Sequence, residues 1–322
     1  MKKLRIGVIG CANIAEKYVI PAIKESKEYE LIAIASRTNE EKLKFFSNKF
    51  NCLGIEGYDN LLKRKDIDCV YLPLPPSLHK EWTLKAIENG KHVIVEKPFD
   101  ISYNSTIETI KKAKSNNIIL MENYMFSYHS QIDYLKNFLL EEVGSIRNVR
   151  ASFGFPLIDK SNFRYKKNMG GGVLLDAAGY PVKACQILFD ENLKVLSSNL
   201  NFIEGFEVDM YGSATLITEK NITCQISFGF DNYYQCNLEI WGKNGKIIME
   251  RIFTAPPGFK PKVILEKQDK KTEIILSSDN HFLKILKKFH HFINFNKDYN
   301  EYEKIINQAR LIDEIRRKSQ NE

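Results

Sequence analysis

Glu96, Lys97 and Pro98 form the group of residues with the clearest chemical potential in this sequence. They directly follow the apolar residues 93–95, and a short apolar run that ends in a rigid proline predicts a buried strand and its end. In an α/β sheet the carboxyl end of a strand opens into the ligand crevice. The pattern therefore predicts that Lys97 takes part in chemistry there, and the alternative is an ordinary surface lysine.

Asp176 and Tyr180 form a second candidate pair, shortly after the glycines at 170–172. Helical backbone would place both side chains on one face, although Pro181 removes an amide donor and predicts that a helix begins or kinks there. Reduction of a carbonyl puts negative charge on oxygen, so it needs a cation such as Lys97 and a proton donor such as Tyr180. A nearby ammonium lowers the pKa of a tyrosine hydroxyl below its usual value of about 10. The alternatives are a packing role for Tyr180 and a helix cap for Asp176.

A glycine-containing turn near the N-terminus predicts a dinucleotide site. The apolar residues 4–9 are followed by the pattern Gly-x-Ala-x-x-Ala over residues 10–15. Gly10 permits the tight turn after the strand, and the small Ala15 lets the following helix approach the sheet. The turn residues expected to contact the cofactor are Gly10, Ala12, Asn13 and Ile14.

The end of the second predicted strand bears on which dinucleotide is bound. Ser36, Arg37 and Thr38 stand where an NAD site normally has a carboxylate for the ribose 2′-hydroxyl, and the next acid is Glu40. Hydroxyl and guanidinium groups bind a 2′-phosphate, which a carboxylate would repel. NADP(H) is therefore favoured, while NAD(H) remains possible with Arg37 stacked on the adenine.

The elements that would position these residues divide the chain in two. Residues 1–122 alternate strand and helix, which predicts an α/β domain with a doubly wound parallel Rossmann sheet. Residues 123–322 carry longer alternating strands, which predicts a C-terminal α+β domain on a large, mainly antiparallel open sheet, ending in a helix. The predicted strands are 5–9, 31–35, 69–72, 92–95, 118–121, 146–155, 209–218, 221–230 and 235–241, with weaker candidates at 201–206 and 263–268.

Composition limits the class of protein. The six cysteines are scattered singly, which supports neither a disulfide framework nor a zinc site and is typical of a reducing cytoplasm. No apolar run is long enough to cross a bilayer. The net charge of +7 comes from small basic clusters spread among acids, which indicates a solvated surface that attracts anionic small molecules rather than a nucleic-acid interface. We expect no metal, no membrane and no nucleic acid as partners.

The 10–15 turn, the Glu96-Lys97-Pro98 motif and the segment 170–180 together resemble the Gfo/Idh/MocA family of nicotinamide-dependent oxidoreductases over nearly the whole chain. The resemblance implies that the loop holding Leu74, Pro75 and His79 runs along the cofactor, although His79 would also suit the start of a helix. It implies that Glu96 lies near the cofactor ribose. Substrate-side residues implied in the same way, with Asp176 and Tyr180, are Tyr124, His129, Arg164 and Lys166. Core packing is an equal alternative for Tyr124 and His129.

Tyr180 stands where the family commonly has a histidine, and this departure resembles a subgroup of nucleotide-sugar ketoreductases. The leading hypothesis is NADPH-dependent reduction of a keto-sugar, most plausibly a nucleotide-linked 3-keto-deoxyhexose, in which either Lys97 or Tyr180 delivers the proton. The alternatives are an NAD(P)-dependent dehydrogenase of a free sugar, cyclitol or dihydrodiol, and a dinucleotide-sensing regulator without turnover. Sheets in this family commonly pair, so a homodimer or homotetramer is expected.

Overall fold

The structure is a computed structural model that describes residues 3–189, 192–295 and 300–320. The chain forms two compact units. The first falls within Met1–Asn123 and Phe282–Ile306, and the second within Tyr124–His281 and Asn307–Glu322. No helix in these described ranges has the length and apolar character needed to span a membrane.

The first unit is built on a parallel sheet with the strand order β3-β2-β1-β4-β5-β6. Its strands, six among the described residues, are β1 (Leu4–Ile9), β2 (Tyr29–Ser36), β3 (Leu53–Glu56), β4 (Cys69–Leu72), β5 (His92–Val95) and β6 (Leu120–Glu122). The order reverses beside β1, which is where ligands bind in such sheets. The predicted Rossmann sheet is confirmed, with β3 as an additional edge strand. Its side chains are largely exposed, so it lacks the apolar run that marked the others.

Helices of the first unit follow the strands. They are a π-helical turn at Ala15–Val19 leading into α1 (Ile20–Glu25), then α2 (Glu40–Phe50), α3 (Tyr58–Leu62), α4 (His79–Glu88) and α5 (Tyr103–Ser115), with a 3₁₀ turn at Pro76–Leu78. The side chain of Asn39 accepts a hydrogen bond from the Lys42 amide at 2.7 Å and so caps α2. Gly90, with φ of +69°, ends the α4 turn as predicted.

The second unit contains a sheet with the order β14-β13-β12-β11-β7-β10-β9-β8. Its strands, eight among the described residues, are β7 (Ile146–Phe155), β8 (Lys194–Phe202), β9 (Asp209–Ile217), β10 (Thr223–Phe230), β11 (Gln235–Gly242), β12 (Lys246–Glu250), β13 (Lys262–Lys267) and β14 (Lys270–Ile275). Neighbours pair antiparallel except β7 with β10. The predicted mainly antiparallel sheet is confirmed. The weak candidate at 201–206 was wrong in position, because β8 lies mostly before it.

Helices and short turns cover one face of this sheet. They are α6 (Ser130–Tyr134), a π-helical turn at Leu135–Leu139, α7 (Leu140–Val143), α8 (Val173–Asp176) and α9 (Gly179–Phe189), with 3₁₀ turns at Met125–Tyr128, Phe163–Tyr165 and Lys167–Met169. The inward side chains of the central strands, such as Val149, Ile226 and Leu238, are fully buried in the core they share with α9. The last helices among the described residues are α10 (His281–Asn294) and α11 (Asn300–Lys318).

The predicted domain division at residue 122 remains a prediction. The compact units differ from it in one respect, which is the placement of a segment near the C-terminus. Residues 282–306 group with the first unit. Tyr302 and Ile305 of α11 belong to the apolar core of the first unit, and the Tyr302 hydroxyl bonds the Ile118 carbonyl. Leu311 and Ile315 belong to the core of the second unit. A helical pattern alone does not reveal which core its apolar face joins.

Candidate functional site

The glycine turn after β1 has the geometry of a close-approach turn. Gly10 has φ of +114°, and its amide donates to the Ala35 carbonyl at 2.9 Å. The positive φ favours glycine here, and a Cβ at this position would also have to displace Leu74 Cδ2, which would lie 2.9 Å away. Ala15 is fully buried where the next helical segment meets the sheet. Ala12 and Ile14 are half-buried and Asn13 is exposed, and their contact with a pyrophosphate stays a prediction.

The end of β2 presents groups that suit a phosphate. Arg37 and Thr38 are exposed, while Ser36 is buried and its Oγ accepts a hydrogen bond from the Asn39 amide at 3.3 Å. Glu40, the nearest acid in the sequence, forms an i,i+4 ion pair with Lys44. No acid within the described residues forms an ion pair with Arg37, so its positive charge is available to an anion.

His79 joins two backbone segments of the first unit. Its imidazole is fully buried, with Nδ1 at 2.7 Å from the Pro98 carbonyl oxygen and Nε2 at 2.7 Å from the Leu74 carbonyl oxygen. Burial lowers the pKa of His79, and the two carbonyl contacts act against that shift. Leu74 is itself buried and Pro75 half-buried. Cofactor contact by this loop stays a prediction, and the geometry gives His79 a bracing role between the loop and the Lys97-Pro98 turn.

Glu96 lies at the end of β5 and is held by two side chains that sequence reasoning missed. Its Oε1 accepts hydrogen bonds from the Tyr71 hydroxyl at 2.6 Å and from Asn123 Nδ2 at 2.5 Å. Burial raises the pKa of Glu96, whereas these bonds lower it. Tyr71 and Asn123 lie on or beside β4 and β6, the strands that flank β5, so sheet topology brings them together. A contact of Glu96 with the ribose remains a prediction.

The Lys97 turn is fixed on both sides by buried side chains. Glu122 Oε1 accepts a hydrogen bond from the Phe99 amide at 2.8 Å, and His79 contacts the Pro98 carbonyl. Lys97 is half-buried, next to this braced backbone. The backbone that carries Lys97 is therefore held in position, and a catalytic role for its side chain stays a prediction.

In the second unit, Tyr180 occupies the first turn of α9, because the helical path breaks after α8. The Tyr180 amide donates to the Ala177 carbonyl at 3.2 Å, and Pro181 follows where a helix needs no amide donor. The predicted helix start near Pro181 is confirmed. The Tyr180 ring is 6% exposed and packs edge-on to Tyr124 and Phe153, with centroid distances of 5.4 and 4.8 Å. Packing therefore orients this ring, and a chemical role stays a prediction.

Asp176 is paired with Arg164 across the glycine segment. Arg164 Nε donates to Asp176 Oδ2 at 2.7 Å. The alternative that Asp176 caps the start of a helix was wrong, because Asp176 is the last residue of α8. Asp209 is the residue that caps the start of α8, since its Oδ2 accepts a hydrogen bond from the Leu174 amide at 2.6 Å. The glycines explain how the loop reaches Asp176, since a Cβ on Gly171 would lie 2.5 Å from the Arg164 carbonyl oxygen.

The remaining predicted substrate residues differ in their surroundings. Lys166 is exposed on the Arg164 loop. The Tyr124 hydroxyl lies 3.3 Å from Gln308 Nε2, which also donates to the Gly179 carbonyl at 2.9 Å. His129 is fully buried and its Nδ1 accepts from the Gln131 amide at 3.1 Å, capping α6. Packing roles therefore account for the positions of Tyr124 and His129, and their substrate contacts remain predictions.

A reversing parallel sheet with a glycine turn, a strand-end Glu-Lys-Pro and a second α+β unit define a dinucleotide-dependent enzyme. Family models support this class. Residues 4–124 match the oxidoreductase family with an NAD-binding Rossmann fold, and residues 140–248 match the GFO/IDH/MocA C-terminal domain. The chain therefore belongs to the Gfo/Idh/MocA family of oxidoreductases.

Similar proteins match the chain over most of its length. A dTDP-3,4-didehydro-2,6-dideoxy-alpha-D-glucose 3-reductase from Actinomadura kijaniata is 36% identical over 97% of this chain and 95% of its own. The enzyme of the same name from Saccharopolyspora spinosa is 35% identical over 89% and 87%. The crystal structure of a 3-ketoreductase from Actinomadura kijaniata, in complex with NADP and TDP-benzene, matches with a TM-score of 0.95, 35% identity and 98% coverage of both chains.

Proposed function

We propose that this protein is an NADPH-dependent ketoreductase acting on a nucleotide-linked 3-keto-deoxyhexose. The observation that carries the proposal is the likeness to 3-reductases of a dTDP-linked keto-deoxysugar, at 35–36% identity over 89–97% of the chain. Lys97 and Tyr180 supply the cation and the hydroxyl that reduction of a ketone requires.

The cofactor half of the proposal is supported by Ser36, Arg37 and Thr38. This corner offers hydroxyls and an unpaired guanidinium for a 2′-phosphate, and the acid nearest in sequence is engaged by Lys44. A similar 3-ketoreductase was crystallised with NADP. Gly10, with φ of +114°, forms the tight turn after β1 that in dinucleotide-binding folds leads to the pyrophosphate.

The residues of this chain have separate tasks in the proposed reaction. When bound, the reduced cofactor supplies the hydride. Lys97, on its braced turn, stabilises the negative charge that develops on the ketone oxygen, and the Tyr180 hydroxyl donates the proton. Aromatic neighbours hold the Tyr180 ring in one orientation and limit its contact with water. Asp176 and Arg164, already paired with each other, are proposed to hold the sugar and a phosphate of the substrate.

A homodimer or homotetramer in a reducing cytoplasm completes the proposal. The strands β10 and β11 turn their apolar side chains, such as Ile226 and Leu238, into the core. On the opposite face Tyr211 is 43% and Trp241 56% exposed, and exposed aromatic residues of this kind support pairing with the sheet of a second subunit. Light scattering at micromolar protein should show a mass above the monomer, and a strictly monomeric mass would contradict this part.

The test is NADPH consumption over a panel of keto-sugars, with and without a linked nucleotide. We expect fastest turnover with a nucleotide-linked 3-keto-deoxyhexose. Faster oxidation of a free sugar, cyclitol or dihydrodiol would instead establish a dehydrogenase, and dinucleotide binding without turnover would establish a regulator. NADPH should bind at least tenfold more tightly than NADH, about 1.4 kcal/mol. Arg37→Ala should narrow this gap by weakening NADPH, whereas Lys63→Ala, a control on exposed charge, should leave it unchanged.

A further inference from the structure

We propose that Tyr58 and Trp82 are specificity-determining residues that hold the Arg37 guanidinium in place for the 2′-phosphate of NADP(H). The inference rests on the proposed cofactor and goes beyond it by assigning the origin of the preference to two aromatic side chains outside the strand-end motif.

The first observation is the aromatic corner around Arg37. The guanidinium carbon lies 5.4 Å from the centroid of the Tyr58 ring and 5.9 Å from that of Trp82. The two rings meet edge-on, with centroids 4.9 Å apart and planes at 90°. Both are buried, at 8% and 2% exposure, whereas Arg37 is exposed. The exposed Arg37 guanidinium thus lies within cation–π distance of two buried rings, and its planar shape suits such contacts.

The second observation fixes this corner relative to the end of β2. The Gly57 amide donates to the Ser36 carbonyl at 2.8 Å, and Tyr58 follows at the start of α3. The same backbone that presents Arg37 therefore also places the Tyr58 ring. The Gly57–Ser36 hydrogen bond thus fixes the backbone of Tyr58 relative to the backbone of Arg37.

The third observation connects the corner to the dinucleotide turn. A Cβ on Gly10 would lie 3.7 Å from the Tyr58 hydroxyl, so Tyr58 borders both the glycine turn and Arg37. Its position coincides with the part of a Rossmann site where the adenosine end of a dinucleotide lies. The aromatic corner reduces the entropy that Arg37 loses when it binds phosphate, because the side chain is already confined.

This arrangement predicts a selective effect on NADPH. Loss of a ring under Arg37 frees the guanidinium and weakens its phosphate contact, but NADH lacks that phosphate. A general loosening of the domain would weaken both cofactors alike. The ratio of the NADH to the NADPH dissociation constant therefore separates a specificity role from a structural one.

The experiment measures both dissociation constants by calorimetry on the full chain without sugar substrate. Tyr58→Leu should lower the NADH/NADPH ratio about two- to fivefold, as expected for an exposed cation–π contact. Tyr58→Phe keeps the ring and should keep the ratio. Phe46→Leu removes a buried ring of the same unit that has no contact with Arg37, and should also keep the ratio. If Tyr58→Leu does not fold, Arg37→Lys is measured in its place. That variant keeps the charge but lacks the planar group that lies over the rings, so it should lower the ratio.

A double-mutant cycle decides whether the effect passes through Arg37. In an Arg37→Ala background, Tyr58→Leu should change the ratio no further. An equal fall in both backgrounds, or a wild-type ratio in Tyr58→Leu and Arg37→Lys, would overturn the inference while leaving the proposed cofactor intact. A wild-type protein with no preference for NADPH would refute the proposed cofactor itself and this inference with it.

Discussion

Replacement of His79 by phenylalanine tests whether the buried imidazole braces the Lys97 turn. Phenylalanine fills the volume of the ring but has no polar atom, so the carbonyls of Leu74 and Pro98 lose the contacts that His79 makes at 2.7 Å. Burial lowers the pKa of His79, and a neutral imidazole donates a hydrogen bond from one of its two ring nitrogens. A buried acceptor left without its donor costs about 1–3 kcal/mol.

The expected loss is therefore about 1–3 kcal/mol of unfolding free energy, which a protein with a total of about 5–15 kcal/mol survives. Urea denaturation followed by circular dichroism measures it. Thr83→Val is the matched control, since Thr83 is buried one turn further along α4 and its hydroxyl has no hydrogen-bond partner in the described residues. That variant should lose less than about 0.5 kcal/mol.

Kinetics distinguish a brace from simple packing. A loosened turn misplaces Lys97, so kcat should fall between about threefold and a hundredfold in His79→Phe. The dissociation constant for NADPH should change less than kcat does. Wild-type stability together with wild-type kcat would refute the reasoning, because the two carbonyl contacts would then contribute nothing to the turn.

The other predictions concern the remaining site residues. Tyr180→Phe should lower kcat by about 10² to 10⁴ and leave NADPH binding nearly intact, and Lys97→Ala should lower kcat at least as much. The two losses should not add in the double variant. Full kcat in Tyr180→Phe would assign the proton to Lys97 or water. Burial raises the pKa of Glu96, so the folded state holds this proton more tightly and stability should fall as pH rises from about 4.3 through the folded pKa. Glu96→Gln should flatten that part of the pH profile in thermal unfolding, and an unchanged profile would contradict the assignment. Arg164→Ala removes the ion pair between Arg164 and Asp176. It should raise KM for the nucleotide-sugar more than it lowers kcat. An unchanged KM would show that Arg164 does not contact the substrate.

The strands of the first sheet were predictable because burial on both faces requires continuous apolar runs, as in residues 93–95. Leu53–Glu56 escaped prediction because it is an exposed edge strand. Lys194–Phe202 escaped it because its pairing with β9 shifts register twice, which breaks the alternation of inward and outward side chains. Lys246–Glu250 and Lys270–Ile275 were also not predicted, although burial in Lys246–Glu250 alternates regularly.

The candidate site shows a similar division. Residue types and motif spacing were enough to nominate Lys97, Tyr180 and Arg37 as candidates, and their roles remain predictions. The groups that hold them in place were not visible. Glu122 reaches the backbone of Phe99 from a different strand, and Asp209 caps a helix 35 residues earlier in the chain. Such contacts depend on which strands become neighbours in the sheet, and a local sequence pattern does not indicate strand order.

The central claim is that this chain transfers a hydride from NADPH to the C3 ketone of a nucleotide-linked deoxysugar. Its most direct test supplies NADPH with deuterium at both hydrogen positions of the transferring carbon, together with the dTDP-linked 3-keto-deoxyhexose, and analyses the product by mass spectrometry and NMR. The account predicts one deuterium per product molecule, bound at C3, and loss of this product in Lys97→Ala. A product without deuterium, deuterium at another carbon, or no product from the wild-type protein while a free sugar is turned over would contradict it.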